Sequence, residues 1–166
     1  MLFGRKCREQ ETKAEQPMYE QLCEALDERN WKYNKDEEKD MVTIRFTTDG
    51  LPVELRLWID QKRELVRLAS LLPFKINEEK RVDAAVAICA VNDRMVDGSF
   101  DYDISDGQII FRMAHSYKEC KVESELFQYM VDCSVAMVEK YSAKFLGIST
   151  GMLSIEAALE EFLKKA

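Results

Sequence analysis

The 166-residue chain has one histidine, no pair of cysteines spaced C-x-x-C, and no apolar run that approaches a membrane span. A spanning helix needs about 18 such residues. Each absence removes a class of function. There is no zinc spacing, phosphate-cradling glycine loop or dinucleotide fingerprint, so neither a metal nor a cofactor is expected. His115 stands beside Ser116 and Tyr117 at the end of a strand pattern. A catalytic base needs a nucleophile and an orienting acid placed in space. The sequence identifies no such set, and no enzyme is expected. Positive charge is also lacking: 24 Lys and Arg against 31 Asp and Glu give −7. That is the wrong sign for nucleic acid or for an anionic membrane surface. The opening "MLFGRKCREQETKAEQ" turns charged after three apolar residues and lacks the apolar core of a signal peptide. These features predict a soluble cytoplasmic protein. The five cysteines, at 7, 23, 89, 120 and 133, read as reduced thiols. Cys23, Cys89 and Cys133 fall at apolar helical positions and act as small hydrophobes, which leaves Cys7 as the exposed one.

What is present is an ordinary globular composition, 46% apolar and 33% charged, enough for one core. Residues 1–15 are polar and read as a loosely ordered segment; residues 16–166 read as a single domain. Pro17 suits the first position of a helix with Met18, Leu22, Cys23 and Leu26 on one stripe. The period then changes to two. "WKYNKD" is a short edge strand, and "MVTIRFT" and "PVELRLWID" alternate around Asp49-Gly50, a type I′ hairpin signal. Pairing across that turn sets Phe46 opposite Val53, Ile44 opposite Leu55, and Arg45 opposite Glu54. "ELVRLASLLP" is a further strand, ended by Pro73. A helix follows from Asn77, its apolar face read as Val82, Ala85, Val86 and Cys89. Two strands, a long helix from Ser124 to Leu146 and a last helix after Gly151 complete the chain. The order is α-β-β-β-(β)-α-β-β-α-α. It predicts an α+β fold: an antiparallel sheet, meander plus hairpin, with helices on one face.

The stretch "DYDISDGQIIF" places Asp101, Asp103 and Asp106 around Gly107, which invites comparison with a calcium loop. The comparison fails. Glycine belongs at the sixth position and a bidentate glutamate at the twelfth; here these are Asp106 and Arg112. A hairpin fits instead, with Asp106-Gly107 as a two-residue turn. It would set Ile104 opposite Ile109, Tyr102 opposite Phe111 and Phe100 opposite Met113, with an Asp101–Arg112 ion pair on the other face.

Strand parity puts Arg45, Glu54, Arg56, Trp58, Leu65 and Arg67 on the side away from the main apolar stripe. With an even turn after Asp60, Trp58 would face Leu65 and Arg56 would face Arg67. Either a terminal helix covers Trp58, or Arg56, Trp58, Leu65 and Arg67 form a protein-contact surface. Trp and Arg are the residues enriched at such sites.

Several of these residues also carry a resemblance. Trp31 and Tyr33, Leu72-Pro73, Lys80-Arg81, Asn92, Gly98-Ser99-Phe100, Asp103, Asp106-Gly107 and Phe111-Arg112 make a pattern that resembles the YbjN-like family, named for a role in bacterial sensory transduction. The match runs over about residues 17–147, and the last helix lies outside it. The resemblance implies a fold like that of type III secretion chaperones, often dimeric, and no catalytic residues. The expected function is therefore a non-enzymatic, chaperone-like regulatory module acting through protein–protein contacts as a homodimer. The alternative is a small-molecule sensor with a pocket between sheet and helices.

Overall fold

The computed structural model describes residues 17–119 and 122–164. The N-terminal segment, Cys7 and Cys120 lie outside them. Helix α1 (Met18–Glu28) leads into β1 (Tyr33–Asp36), β2 (Met41–Phe46), β3 (Val53–Asp60) and β4 (Leu65–Lys75). Helix α2 (Arg81–Asn92) precedes β5 (Ser99–Asp103) and β6 (Gln108–Ser116); α3 (Ser124–Thr150) and α4 (Ile155–Leu163) close the chain. The sheet is antiparallel, in the order β1-β2-β3-β4-β6-β5. This is the α+β arrangement expected, with the edge strand present as β1.

One face of the sheet is apolar because alternate residues point the same way. Val42 and Ile44, Val53, Leu55, Leu57 and Ile59, Val66 and Leu68, and Ile109 and Phe111 are all buried. Helix α3 lies across β3, β4 and β6 and brings Phe127, Met130, Val138 and Phe145 to them. Phe100 on β5 meets Phe111, Tyr141 and Phe145 edge-on, with centroids 5.1 to 5.9 Å apart. Such pairs add about 0.5–1.5 kcal/mol beyond the area they bury. Gly151, at φ +75°, ends α3, and the chain turns back so that α4 packs on α2 and α3.

The β2–β3 register is as expected, Phe46 to Val53, Arg45 to Glu54 and Ile44 to Leu55. Its turn is not type I′. Six residues connect the strands, and neither Asp49 nor Gly50 takes positive φ. The Thr48 hydroxyl holds the loop instead, accepting from Gly50 N–H and donating to Leu51 O. The face assigned to α2 is also corrected. Ala84, Ala87, Ile88 and Val91 are buried, whereas Val82 is 68% exposed and Val86 and Cys89 are exposed. An alanine-rich helix offers apolar residues all round. Ala84 and Ala87 turn inward beside Ile88 and Val91, and their small side chains permit close packing of α2 on α3, α4 and β5.

The β5–β6 hairpin exists with a longer turn. Asp103 pairs with Gln108 and Phe100 with Phe111, two residues out of the expected register. Ile104 therefore lies in the turn, 53% exposed. Side chains explain the extra length. The Asp103 carboxylate accepts from Ser105 N–H and Oγ, and Asp106 accepts from Gln108 N–H. Gly107 N–H then donates to Asp103 O at 2.8 Å. The Asp101–Arg112 pair survives at 2.8 Å, but diagonally, since Asp101 faces Ile110.

Gly107 has no substitute. It takes φ +81°, and a Cβ there would lie 2.4 Å from Ile76 O. Ile76 N–H also donates to Gly107 O at 2.8 Å, so the two backbones cannot separate cheaply. Gly107→Val is expected to lower stability by more than about 2 kcal/mol, combining left-handed strain with the clash. Asp101→Asn, at an exposed pair, should cost less than about 1 kcal/mol. Urea midpoints of the two variants test this, and equal losses would refute the account.

Candidate contact surface on the open face of the sheet

All four helices lie on the apolar side of the sheet: α3 against β3, β4 and β6, α1 against α3 and β3, α2 against β5, and α4 against α2 and α3. The other face has no covering layer among the described residues. Helix α4 is thus on the far side from Trp58 and does not cover it. The open face reads across the strands in rows. Met41, Trp58, Arg67 and Ala114 are register partners in one row; Thr43, Arg56, Ala69 and Arg112 form the next. Leu71 pairs with Ile110, and Leu65 lies between Asp60 and Ser116.

This register corrects the expected one. The turn after Asp60 has four residues, and Trp58 stands opposite Arg67, not Leu65. Arg56 stands opposite Ala69, so the expected Arg56–Arg67 opposition does not occur. The Arg67 guanidinium instead lies over the Trp58 ring, 5.0 Å from its centroid, a favourable cation–π contact. Trp58 is only partly buried and is not among the aromatics packed on the core. Its shelter comes from its own face. Leu71, 50% exposed, and its partner Ile110 are open-face residues that sequence reasoning did not single out. The alternation 65, 67, 69, 71 carries the first; the pairing of β4 with β6 was needed for the second. His115 is exposed at the end of β6.

Three carboxylates of this face pair with arginines, and Asp36 and Asp103 lie on it as well by their pairing with Met41 and Gln108. Glu54 holds Arg45 at 2.8 Å and Arg56 at 3.0 Å. Asp60 holds Arg63 at 3.0 Å and Arg67 at 3.6 Å. Asp101 holds Arg112. Arg45, then Arg56, hold the Glu54 carboxyl below the ordinary range against the opposing effect of partial burial. Arg63 and Arg67 do the same for Asp60. A carboxylate with a lowered native pKa contributes stability that is present above its unfolded value and lost as pH falls through the native one. The stability difference between the wild type and Glu54→Gln is therefore expected to stay constant above about pH 5 and to shrink below about pH 4. Urea midpoints across this range check it.

A different cluster ties α2 to the hairpin. The Asn92 carboxamide accepts from Phe100 N–H and donates to Phe100 O, both at 2.9 Å. Gly98, at φ +76°, leaves no room for a Cβ, which would meet the Phe111 ring at 2.5 Å. Arg81 donates to Ser105 O at 2.7 Å, and Lys75 pairs with Asp106 at 2.6 Å. Every one of these contacts is internal and structural. Asn92→Ala should cost about 1–3 kcal/mol, because two backbone groups lose their partner. Arg56→Ala on the open face should cost under about 1 kcal/mol. Thermal melts of both variants separate the two kinds of position.

No curated protein sequence matches the chain at a significant level. Among solved structures, the crystal structure of YbjN from E. coli, described as "a putative transcription regulator", superimposes with a TM-score of 0.56 at 11% identity. It covers 77% of this chain and 93% of that one. At that identity the likeness speaks for the fold. The model of the YbjN family, described as "Putative bacterial sensory transduction regulator", matches residues 19–147. That span contains the whole sheet, α2 and the Asn92–Phe100 cluster, and leaves α4 outside. The chain therefore belongs to the YbjN family.

Proposed function

We propose that this protein is a non-enzymatic regulatory module that works through protein contacts made on the open face of its sheet. The carrying observation is the half-buried Trp58 on a face without a helical layer, with Arg56, Leu65 and Arg67 around it and exposed Leu71 with its partner Ile110 two rows away. Apolar groups exposed on such a face and flanked by charge are features of interaction sites. Trp and Arg dominate the energetics of such sites. The description of the family as a regulator supports the same reading. The sensor alternative has less support. The space between sheet and helices is filled by Phe100, Phe111, Phe127 and Phe145, none more than 2% exposed. Among the described residues, one cleft beside Cys89 and Tyr102 and another beside Tyr19 and Asp27 are open surface features.

A second copy of the chain is the partner expected from the family resemblance and from the position of Trp58 beside Leu65. Relief of repulsion between Arg56 and Arg67 adds nothing to it, since each guanidinium already has a carboxylate in its own chain.

A photo-crosslinking residue at Leu71 should trap a defined protein in native lysate. The same residue at Met152, 79% exposed and off this face, should not. Trp58→Glu should abolish the adduct while circular dichroism stays native. Truncating a central aromatic anchor costs about 2 kcal/mol or more, roughly a thirty-fold loss of affinity. Equal trapping at both positions, or none at Leu71, would overturn the reading. Light scattering of the wild type and Trp58→Glu tells whether the trapped protein is a second copy.

A further inference from the structure

Helix α4 differs from the rest of the helical layer in how little holds it. It is nine residues long and buries two of them, Ala158 and Phe162, whereas α1, with eleven residues, buries four. A helix this short does not keep its shape in water without packing. Phe162 is the anchor. The Tyr141 and Phe145 rings lie 5.7 and 6.5 Å from it, and Lys144 Nζ lies 5.7 Å from its centroid. Ala158 is buried one turn earlier. Two polar ties add to these contacts: the Lys144–Glu161 ion pair, and Arg94, which donates to Leu163 O at 3.3 Å. The fit is incomplete. Leu163 stays 45% exposed, and the Glu161 side chain keeps 51% of its surface.

The connection to α3 is open as well. Gly151 takes φ +75°, and a Cβ there would meet nothing within 4 Å. Met152, which follows it, is 79% exposed. The walls of the groove that α4 fills are α2 and α3. Helix α2, and α3 as far as residue 147, fall within the span of the family match, whereas α4 lies beyond it. The groove thus belongs to the shared architecture, and α4 is an occupant added to it.

We propose that the groove between α2 and α3 is a second binding surface, with α4 as its built-in occupant. When α4 swings away about Gly151, an amphipathic helix of another protein takes its place, with an aromatic anchor and a small residue four positions before it. Helices laid into apolar grooves are read through anchors at this spacing. The four-residue connection 151–154 holds α4 at an effective concentration of the order of mM. A rival must therefore offer more than α4 does. A second copy's α4 has the same sequence and offers nothing more. A foreign helix that also buries its residue at the Leu163 position does.

The test uses the full-length protein and a fluorescent synthetic peptide of residues 152–166. Native-state hydrogen exchange of the wild type comes first. The α4 amides should exchange at least about ten-fold faster than the slowest amides of α2 and α3. Exchange at the same rate as those would show that α4 leaves only on global unfolding, and would overturn the proposal. Phe162→Ala in the full chain should keep the circular dichroism of α1–α3 and the sheet, and should bind the peptide at least about ten-fold tighter than the wild type. The same peptide with Phe162→Ala should not bind. An unfolded Phe162→Ala protein, equal peptide binding by both proteins, or no binding by either would overturn the proposal. A wild-type dimer that forms on concentration and is lost in Phe162→Ala would place a second copy's α4 in the groove and overturn the foreign occupant.

Discussion

A sheet has two faces, and this chain has helices for only one of them. Helix α3, 27 residues long, crosses β3, β4 and β6 and buries the apolar side of all three. Its length is what makes a single layer sufficient, and α1, α2 and α4 extend that layer at its margins. The other helices could not cover the second face without leaving the first. Side chains that are polar, charged or half-apolar are therefore what the second face must present. Trp58 is the largest exception, and its position follows from parity alone, because Leu57 and Ile59 are both buried on the helical side.

That parity was legible in the sequence because it is local. Alternation over "MVTIRF" and "VELRLWID" assigns each residue to a face without knowledge of the partner strand. The β2–β3 register was legible too, because two alternating runs with matched Arg45 and Glu54 leave one consistent pairing. Turns were less readable, since their geometry depends on side chains bonding to nearby backbone. Thr48 replaced a type I′ turn, and the Asp103 and Asp106 carboxylates lengthened the β5–β6 connection by two residues. The pairing of β4 with β6 joins strands separated by a helix, and no local pattern announces it. Ile110 and its place beside Leu71 were invisible for that reason. The α2 face was misread because Ala, Val and Cys surround the helix, and the choice among them is made by how closely α3 and α4 approach.

Most residues that carry the family resemblance lie away from the candidate surface, and Arg112 belongs to both. Asn92, Gly98, Phe100, Asp103, Asp106 and Gly107 act within the corner where α2 meets the hairpin. They secure a backbone path that tolerates few alternatives, which is why they form a recognisable pattern at all. Trp58 and the open-face arginines other than Arg112 are outside that pattern. Membership therefore informs the architecture more than the identity of any partner.

The bond between Asn92 and Phe100 has a consequence for how molecules of this protein can assemble. Strand β5 is the last in the sheet, and an outermost strand is a template on which another chain can polymerise. At Phe100 both outward backbone groups are already occupied by a carboxamide from α2. The opposite border, β1, is four residues long and carries Lys35 and Asp36, features that discourage strand addition. Both borders of the sheet thus resist fibre growth. A protein so guarded can display a tryptophan to solvent without its sheets fusing side by side, and encounters are directed onto the broad surface instead.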